Sequence, residues 1–541
     1  MGLSLFNRYT FFVVCVLITL LTLPFLASTG WLWVLTLLTG SLSLLGLHDL
    51  LQRRHAVLRN YPILGHVRYL VESIRPEIRQ YLIESDNEQL PFSRTQRSLV
   101  YARAKNEASD RPFGTQKDVN QTGYEFISHS LLPVVPVSPE TFRVEIGGRA
   151  CRQPYSASIF NISAMSFGSL SANAILALNK GARLGNFAHD TGEGSISRYH
   201  LEHGGDLIWE LGSGYFGCRD ENGAFDPDRF AEQARRPQVK MIELKLSQGA
   251  KPGHGGILPR HKISAEIAAT RGIPRDRDCI SPARHSTFST PIELLQFIQR
   301  LRELSDGKPV GFKLCLGHPW EFMAIAKAML ETGIVPDFIV VDGKEGGTGA
   351  APLEFSNHIG VPLREAVMFV HNTLVGTGLR DQVRIGASGK IISAFDIASV
   401  VAIGADWANS ARGFMFAIGC IQSQTCHTNT CPTGVATQDP WRQRALVVPD
   451  KAQRVCNYHR NTLNALSEML SAAGLSHTSQ LDPRFLVHRL SANEIKLYSQ
   501  MHVFLQPNAL LEGNVEGEFY RRMWAMARAD SFEAATPMAV S

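Results

Sequence analysis

The chain has 541 residues, of which 44% are hydrophobic and 19% charged, and its formal net charge is +5 at pH 7. This length accommodates one large barrel domain of about 250 residues together with further segments. The mild positive charge, without Lys/Arg runs interleaved with aromatic residues, argues against nucleic acid as a partner. Nine scattered cysteines, an odd number, fit a reducing compartment better than a disulfide-stapled secreted scaffold.

The N-terminal segment is strongly apolar. Residues 9–47 contain no charged side chain, and a short turn at residues 28–30 separates two apolar runs. Each run is at the short end of the range of about 17 to 25 residues needed to cross a bilayer. We therefore predict a two-helix transmembrane hairpin over residues 1–50, with a cleaved signal peptide and a buried hydrophobic hairpin as alternatives.

Arginines flank this predicted hairpin on both sides. Arg8 precedes the first run, and Arg53, Arg54 and Arg59 follow the second. By the positive-inside rule both ends lie in the cytoplasm. The expected location is therefore the inner (cytoplasmic) membrane, with the catalytic domain facing the cytoplasm.

Residues 51–140 are predicted to form a helical and irregular juxtamembrane region. Arginines recur there among apolar residues at helical spacing, until a proline-punctuated stretch at 114–139 without clear periodicity. Such amphipathic helices either lie on anionic lipid or pack on the following domain with a solvated basic face. Both alternatives remain open from the sequence.

Residues 141–440 alternate short apolar runs, rich in β-branched residues, with helical patterns. This repetition predicts an α/β fold, a closed (β/α)8 barrel of TIM type rather than an open doubly wound sheet. The second and third strands, near residues 186–189 and Leu207–Leu211, have the weakest patterns. Helical patterns at residues 451–473 and 491–498 predict a helical C-terminal extension over residues 441–541.

The unusual residues of the predicted barrel follow its strands, where barrel enzymes place their chemistry. Lys245, Gln248 and Lys251 accompany the glycine-rich segment SQGAKPGHGGILP after one strand. The loops after the last two strands lie where such barrels bind a phosphate through backbone N–H groups. The residues of these two loops include Gly386, Gly389, Arg412 and Gly413.

Cys420, Cys426 and Cys431 lie in the run GCIQSQTCHTNTCPTGVATQ, with the spacing C-x5-C-x4-C. Thiolates select iron–sulfur clusters or zinc, and three thiolates without a fourth suit a cluster that lacks one iron corner. Structural zinc with His427 as a fourth ligand, and three inert cysteines, are the alternatives.

This run resembles the iron–sulfur segment of glutamate synthases, which holds a 3Fe-4S cluster beside an FMN-bearing barrel. Five more segments resemble that family in the same order: NISAMSFGSLS, HDTGEGSISRY, ELKLSQGAKPGHGGILP, CISPARHSTF and VVDGKEGGTGAAP. The resemblance covers about residues 158–437. It implies an FMN-binding barrel in which Cys420, Cys426 and Cys431 hold a 3Fe-4S cluster.

The resemblance also implies individual roles. Lys313 is expected to stabilise the reduced flavin as a catalytic cation, and Glu193 to relay protons as a catalytic acid. A snorkelling lysine, a core methionine at position 165 and a loop carboxylate are the alternatives. The residues expected to contact FMN are Ala164, Met165, Ser166, Gln248 and Lys313, with the phosphate at Gly386, Gly389, Arg412 and Gly413.

Substrate recognition departs from the family pattern. Lys251 and Arg271 match the cations that bind 2-oxoglutarate in glutamate synthases. Ile257 stands where those enzymes have a glutamine, and His254 where a glutamate is usual. The resemblance therefore implies an anionic 2-oxo or amino acid as substrate, while 2-oxoglutarate itself is in doubt.

The expected function is a glutamate synthase-like oxidoreductase that reductively aminates a 2-oxo acid with hydride from FMN, or runs the reverse reaction. No amidotransferase domain and no GxGxxG after a strand are evident, so electrons are expected to pass to or from a redox partner protein or a membrane carrier. A transferase subunit of the N-methylglutamate synthase type and a non-catalytic electron-transfer subunit are the alternatives.

Overall fold

The computed structural model describes residues 7–25, 30–86, 88, 90–108, 110–515 and 517–535. The chain divides into two compact units, residues 1–90 and residues 91–541. The division falls inside the predicted juxtamembrane region. Its second part, from Pro91 onward, therefore belongs with the barrel.

The first unit begins with two helices, Thr10–Thr22 and Leu32–Leu51, that pack against each other. Gly46 permits this contact because any Cβ there would collide with Phe12. The Thr36 hydroxyl donates to the Thr22 hydroxyl at 2.8 Å. Within the described residues only Leu32–Leu51 is both long and apolar enough to cross a membrane. The predicted turn at residues 28–29 lies outside the described residues.

A buried aspartate links the long helix to the segment that follows it. Asp49 is fully buried, accepts a hydrogen bond from the N–H of Ile63 at 3.0 Å, and faces His66 Nε2 at 2.9 Å. This contact joins the end of Leu32–Leu51 to the start of the helix Leu64–Ile78. The unit also contains the helix Ala56–Asn60 and the π-helical turn Arg79–Ile83.

The second unit is built on a closed barrel of eight parallel strands, as the alternation of patterns predicts. Each strand pairs with its neighbours in the chain, and β8 closes the ring on β1 through Ser410 opposite Ile162. Both weakly patterned strands are present. The strands are β1 Phe160–Ile162, β2 His189–Asp190, β3 Leu207–Leu211, β4 Val239–Lys245, β5 Val310–Leu314, β6 Phe338–Asp342, β7 Arg384–Ser388 and β8 Trp407–Ser410.

Helices follow each strand and cover the barrel. Several begin at side-chain caps: the hydroxyls of Ser171, Thr290 and Ser393 each accept a hydrogen bond from the backbone N–H three residues on. The helices after the eight strands, in order, are Ala172–Gly185, Arg198–Leu201, Pro227–Ala234, Pro291–Leu304, Pro319–Thr332, Leu363–Gly376, Ala394–Ala402 and Arg412–Ala417. Insertions after β4 and β6 add Ala265–Arg271 and Leu353–His358, and the strands Ile257–Leu258 and Cys279–Ile280 pair antiparallel.

Two long helices outside the barrel repeat pack on one side of it. Val448–Ala472 lies along Ala172–Gly185, where Gly181 leaves room for Val455, and Arg94–Lys105 lies along Val448–Ala472. The predicted helix at residues 451–473 is confirmed. The remaining short elements are the paired strands Arg143–Ile146 and Tyr155–Ser158, and the helices Pro440–Gln443, Tyr498–Met501, Ala509–Glu512 and Glu518–Met526.

The predicted helix at residues 491–498 is wrong. Leu486–Ser491 and Glu494–Leu497 form an antiparallel hairpin, and Glu125–Ile127 adds a third strand to it. The partner strand lies hundreds of residues earlier in the chain. Its backbone pairing overrides the local helical pattern.

Candidate functional site

The segments that follow the barrel strands converge on one cleft at the carboxyl ends of the strands. The cleft encloses ≈ 1440 Å³ of empty space, including its open mouth, and every strand or its following loop contributes to the lining. It lies on the face where barrel enzymes carry out their reactions.

The lining of the cleft is electropositive. Seven cationic side chains face three carboxylates, an excess of four positive charges. Such a surface attracts phosphate and carboxylate groups. The cations are Lys245, Lys251, Lys262, Arg271, Lys313, Lys390 and Arg412, and the carboxylates are Glu193, Glu210 and Asp342.

Glycines bring Glu193 to the centre of this face. Gly192 has φ +65°, and a Cβ there would lie 2.6 Å from the backbone nitrogen of Ser166. Glu193 itself lies between Gly212 and Gly256, where added Cβ atoms would collide with its side chain. Its Oε2 is 3.2 Å from Lys245 Nζ. The glycines of HDTGEGS and KPGHGG are therefore needed for close approach around one carboxylate.

Lys313, the predicted flavin lysine, has its anionic partner within the protein. Its Nζ donates to Glu210 Oε2 at 2.9 Å and lies 3.8 Å from Glu243 Oε1. Burial alone would lower the pKa of Lys313, but Glu210 and the surrounding carboxylates raise it well above the ordinary value. Lys245 Nζ lies 3.6 Å from the other oxygen of Glu210. Both lysines are thus held as ammonium ions beneath the cleft.

Two further carboxyls lie below this pair. Asp190 and Glu243 are buried, and burial together with nearby carboxylates raises the pKa of Asp190 to about 7 and that of Glu243 well above its ordinary value. Burial would likewise raise the pKa of Glu210, but Lys313 and Lys245 outweigh burial and lower it. Neighbouring carboxyls in one site therefore differ in protonation.

Lys251 and Arg271 line the cleft as buried cations, 7% and 4% exposed. Arg271 Nη2 donates to the carbonyl of Phe167 at 3.0 Å, and its Nε has no hydrogen-bond partner. Burial lowers the pKa of Lys251. Among the described residues neither cation is within 4 Å of a carboxylate oxygen. Surface salt bridges do not explain them.

The cysteine loop, residues 420–431, adjoins the cleft through Cys426. Burial alone would raise the pKa of the Cys431 thiol, but backbone N–H groups and the Thr433 hydroxyl outweigh burial and lower it. Burial raises the pKa of Cys420 to about 11. Lys262 Nζ donates to the carbonyl of Cys426 at 3.1 Å. The loop therefore favours a thiolate at Cys431 in particular.

Most of the predicted site residues meet at the cleft. Gly386 lies within β7, where a Cβ would be 2.5 Å from the Trp407 ring, and Gly413 faces the Tyr458 hydroxyl. These two glycines therefore make packing contacts and are not part of the lining. Those that do line it are Ala164, Met165, Ser166, Glu193, Gln248, Lys251, Arg271, Lys313, Gly389, Arg412 and Cys426.

Sequence reasoning missed several residues of the site. Lys390 directly follows a predicted phosphate loop, so its positive charge could have identified it from the sequence as a candidate phosphate-binding residue. Lys262 and Phe92 also line the cleft, but no motif marks either of them. Asp190 lies in the weakly patterned two-residue strand β2, and Glu243 lies in β4, whose apolar character hid its inward direction.

The fold and the site together define a (β/α)8 barrel with an electropositive cleft at the carboxyl ends of its strands. The family model described as "Conserved region in glutamate synthase" matches residues 140–476. The glutamate synthase large subunit-like protein YerD of Bacillus subtilis is 39% identical over 478 residues, which cover 81% of this chain and 90% of that protein. The archaeal glutamate synthase (NADPH) of Methanocaldococcus jannaschii is 35% identical over 59% of this chain and 60% of its own length.

The chain belongs to the glutamate synthase family. The prediction of a glutamate synthase-like oxidoreductase is thereby confirmed. Among solved structures, a mutant flavocytochrome b2 with pyruvate bound is similar with a TM-score of 0.41 and 14% identity, covering 87% of this chain and 95% of that one. A likeness at that level carries no argument about function.

Proposed function

We propose that this protein is an FMN- and iron–sulfur-dependent oxidoreductase that interconverts an amino acid and its 2-oxo acid. The observation that carries the proposal is the pair of buried cations, Lys251 and Arg271, in a cleft whose charged groups leave an excess of positive charge. Buried cations without carboxylate partners are costly unless an anion binds them. A substrate carboxylate supplies that anion.

The lining of the cleft fits FMN. Lys390 and Arg412, beside the backbone of Gly389, suit its phosphate. The segment Ala164, Met165 and Ser166 offers backbone to the ring system, and Lys313 offers a buried ammonium. When bound, FMN supplies hydride transfer.

The cysteine loop fits a 3Fe-4S cluster better than zinc. A tetrahedral zinc ion holds its sulfur ligands about 3.8 Å apart, because Zn–S bonds are about 2.3 Å long. Among the described residues, the sulfur atoms of Cys420, Cys426 and Cys431 do not gather within 4.8 Å of one another. Three thiolates without a fourth suit a cluster that lacks one iron corner, and His427 is exposed. A bound cluster supplies one-electron exchange with a redox partner protein or a membrane carrier.

The chain's own residues bind and orient the substrate. Lys251 and Arg271 hold its carboxylates, and this fixes the reacting carbon in the cleft. Glu193 lies within the same lining and holds the proton that leaves or reaches the substrate nitrogen. Its contact with Lys245 at 3.2 Å keeps the carboxylate in place.

Ile257 is proposed to set the substrate preference. It lines the cleft with half of its side chain exposed, and it pairs across a short hairpin with Ile280. Ile257→Gln is expected to improve kcat/KM for 2-oxoglutarate by about tenfold, since one added hydrogen bond to the substrate contributes about 0.5 to 1.5 kcal/mol. Ile280→Gln, on the hairpin partner outside the lining, is the matched control. An unchanged preference in both variants would remove Ile257 from this role.

We also propose that the first unit anchors the protein in the inner membrane, with the barrel in the cytoplasm. The helix Leu32–Leu51 and the shorter apolar helix that packs on it support this proposal. Arg53, Arg54 and Arg59 support the cytoplasmic side. Membrane fractionation of the full chain, with protease access tested from each side, examines the placement. Recovery of the full chain in the soluble fraction would contradict it.

The proposed function is tested by anaerobic purification of the full chain. The expected result is a bound flavin and an iron–sulfur centre. Reduced flavin is expected to be reoxidised by a 2-oxo acid with ammonium, but not by either alone. Absence of flavin, or a reduced flavin unresponsive to a panel of 2-oxo acids with ammonium and to amino acids in reverse, would overturn the proposal.

A further inference from the structure

Three carboxyl groups from adjacent strands meet beneath the cleft. Asp190 of β2, Glu210 of β3 and Glu243 of β4 each present an oxygen within 4.8 Å of the others. Their exposures are 1%, 2% and 0%. Three ionised carboxylates at this separation and burial would repel one another strongly.

Two positive charges lie beside these carboxyls, which is enough to neutralise two carboxylates but not three. Lys313 and Lys245 both contact Glu210, at 2.9 and 3.6 Å. If all three carboxyls were ionised, three negative charges would face these two ammonium ions. One proton held among the three carboxyls balances them against these two ammonium ions, while Glu193, 3.2 Å from Lys245, lies outside this buried set in the lining of the cleft.

The hydrogen bonding identifies where that proton lies. Both oxygens of Glu243 are buried without a hydrogen-bond partner among the described residues. Glu210 is satisfied by Lys313, and Asp190 accepts the N–H of Gly192 at 2.9 Å. A carboxyl proton on Glu243, donated to Asp190, satisfies the remaining group.

We propose that Glu243 is a positioning residue that holds one proton in common with Asp190, and that this proton keeps Lys313 paired with Glu210 beneath the cleft. Lys313 Nζ lies between Glu210 at 2.9 Å and Glu243 at 3.8 Å. An ionised Glu243 would compete for the ammonium and draw it away from Glu210. We refer to Asp190 and Glu243 together as the acid pair.

Other charged groups connect the acid pair to the cleft. Glu210 is linked through Lys245 to Glu193, at 3.6 and 3.2 Å, and Asp342 of β6 adds a further negative charge near Lys313. A change of charge at the acid pair therefore reaches the lining of the cleft. The inference rests on the proposed flavin site for its redox readout, but not for the proton itself.

The count of charges predicts different results for single and double variants of the full chain. Asp190→Asn and Glu243→Gln each remove the shared proton and leave two negative charges facing two positive ones. The double variant leaves only one negative charge. The singles are therefore expected to keep the flavin's reduction equilibrium within about threefold of wild type, while the double variant favours the reduced flavin by about tenfold or more.

Infrared spectroscopy with hydrogen–deuterium exchange detects the protonated carboxyl directly. This measurement does not require bound flavin. A buried protonated-carboxyl band is expected in the wild type and is lost in each single variant. Asp337→Asn is the control: it removes a buried carboxylate paired with Arg302 at the amino end of the barrel, and it is expected to retain the band.

Two results would overturn the inference. One is a band that survives both single variants, which would place the proton elsewhere. The other is a single variant whose shift of the flavin equilibrium, expressed as a free energy, is about half that of the double, which would mean that the acid pair is fully ionised in the wild type. A wild type that shows the band but binds no flavin would refute the proposed function and leave the shared proton supported.

Discussion

Arg271 shows how one residue connects barrel packing with the proposed substrate site. It is the last residue of the helix Ala265–Arg271, donates to the carbonyl of Phe167 at 3.0 Å, and lies over the Phe216 ring at 5.3 Å. These contacts hold the guanidinium rigid at the cleft while its Nε stays unpartnered. A rigid cation loses little entropy when it binds a carboxylate.

Arg271→Ala is expected to raise KM for the 2-oxo or amino acid about 10- to 100-fold, because a charge-assisted hydrogen bond contributes about 1.5 to 3 kcal/mol. The flavin spectrum is expected to stay unchanged. Arg275→Ala, an exposed arginine in the following loop, is the matched control and is expected to leave KM unchanged. An unaltered KM in Arg271→Ala would exclude this residue from substrate binding.

Asp190 gives the folded barrel a specific pH dependence. Its pKa rises from 3.8 to about 7 on folding, so the native state binds the proton more tightly than the unfolded chain. The stability that this proton contributes is complete below pH 3.8 and is lost as the pH rises through about 7.

Asp190→Asn is therefore expected to gain stability relative to wild type as the pH rises from 5 to 7, by at most about 1.4 kcal/mol per pH unit. Thermal unfolding across that range measures the difference. Asp337→Asn, the buried carboxylate at the other end of the barrel, serves as the control. A Tm difference between Asp190→Asn and wild type that is constant with pH would show that the acid pair does not take up a proton on folding.

At the scale of elements, the helix Arg94–Lys105 supports the cysteine loop. The Tyr101 hydroxyl donates to the carbonyl of Cys420 at 2.7 Å, and Gln422 Nε2 donates to the carbonyl of Phe92 at 3.2 Å. The backbone of the loop has positive φ angles at Gln422, Gln424 and Asn429. A loop with this much turning needs external support to keep one conformation.

Cys426→Ser is expected to abolish the 3Fe-4S electron paramagnetic resonance signal of the oxidised protein. Cys456→Ser, in the helix Val448–Ala472, is the control and is expected to keep it. Iron analysis accompanies both measurements. Stoichiometric zinc without iron in the wild type would contradict the cluster, as would an intact signal in Cys426→Ser.

At the scale of the whole molecule, the chain divides after Leu90 rather than at the end of the predicted hairpin. The second unit contains the barrel, the cleft and the helix Arg94–Lys105, and it has a continuous apolar core. A unit with its own core is expected to fold without the other.

A chain that begins at residue 91 is therefore expected to be released from the membrane with flavin and cluster both bound. A chain that begins at residue 110 lacks Arg94–Lys105 and is expected to keep the flavin but lose the cluster signal. Absorbance and electron paramagnetic resonance of the two truncated chains test this. Loss of flavin from the longer chain would show that the first unit is part of the barrel's fold.

The sequence by itself determined the repeating architecture and most of the lining. Strand and helix patterns are local, so most of the eight strands are readable from short apolar runs, while the patterns of β2 and β3 are weak. Because parallel barrel strands end on one face, Lys251 and Lys313 were placed at one site from their positions after strands, and Glu193 was added by the resemblance to glutamate synthases.

The tertiary structure alone decided which residues meet across the chain. The acid pair depends on the register of neighbouring barrel strands. Cys420 is supported by Tyr101, which lies on a helix far upstream. The strand Leu486–Ser491 forms because it pairs with Glu125–Ile127. Gly386 lies in a segment whose composition predicts a phosphate loop, but the structure packs it against Trp407. These contacts join residues distant in sequence, and their energies are set by burial and geometry that no local pattern records.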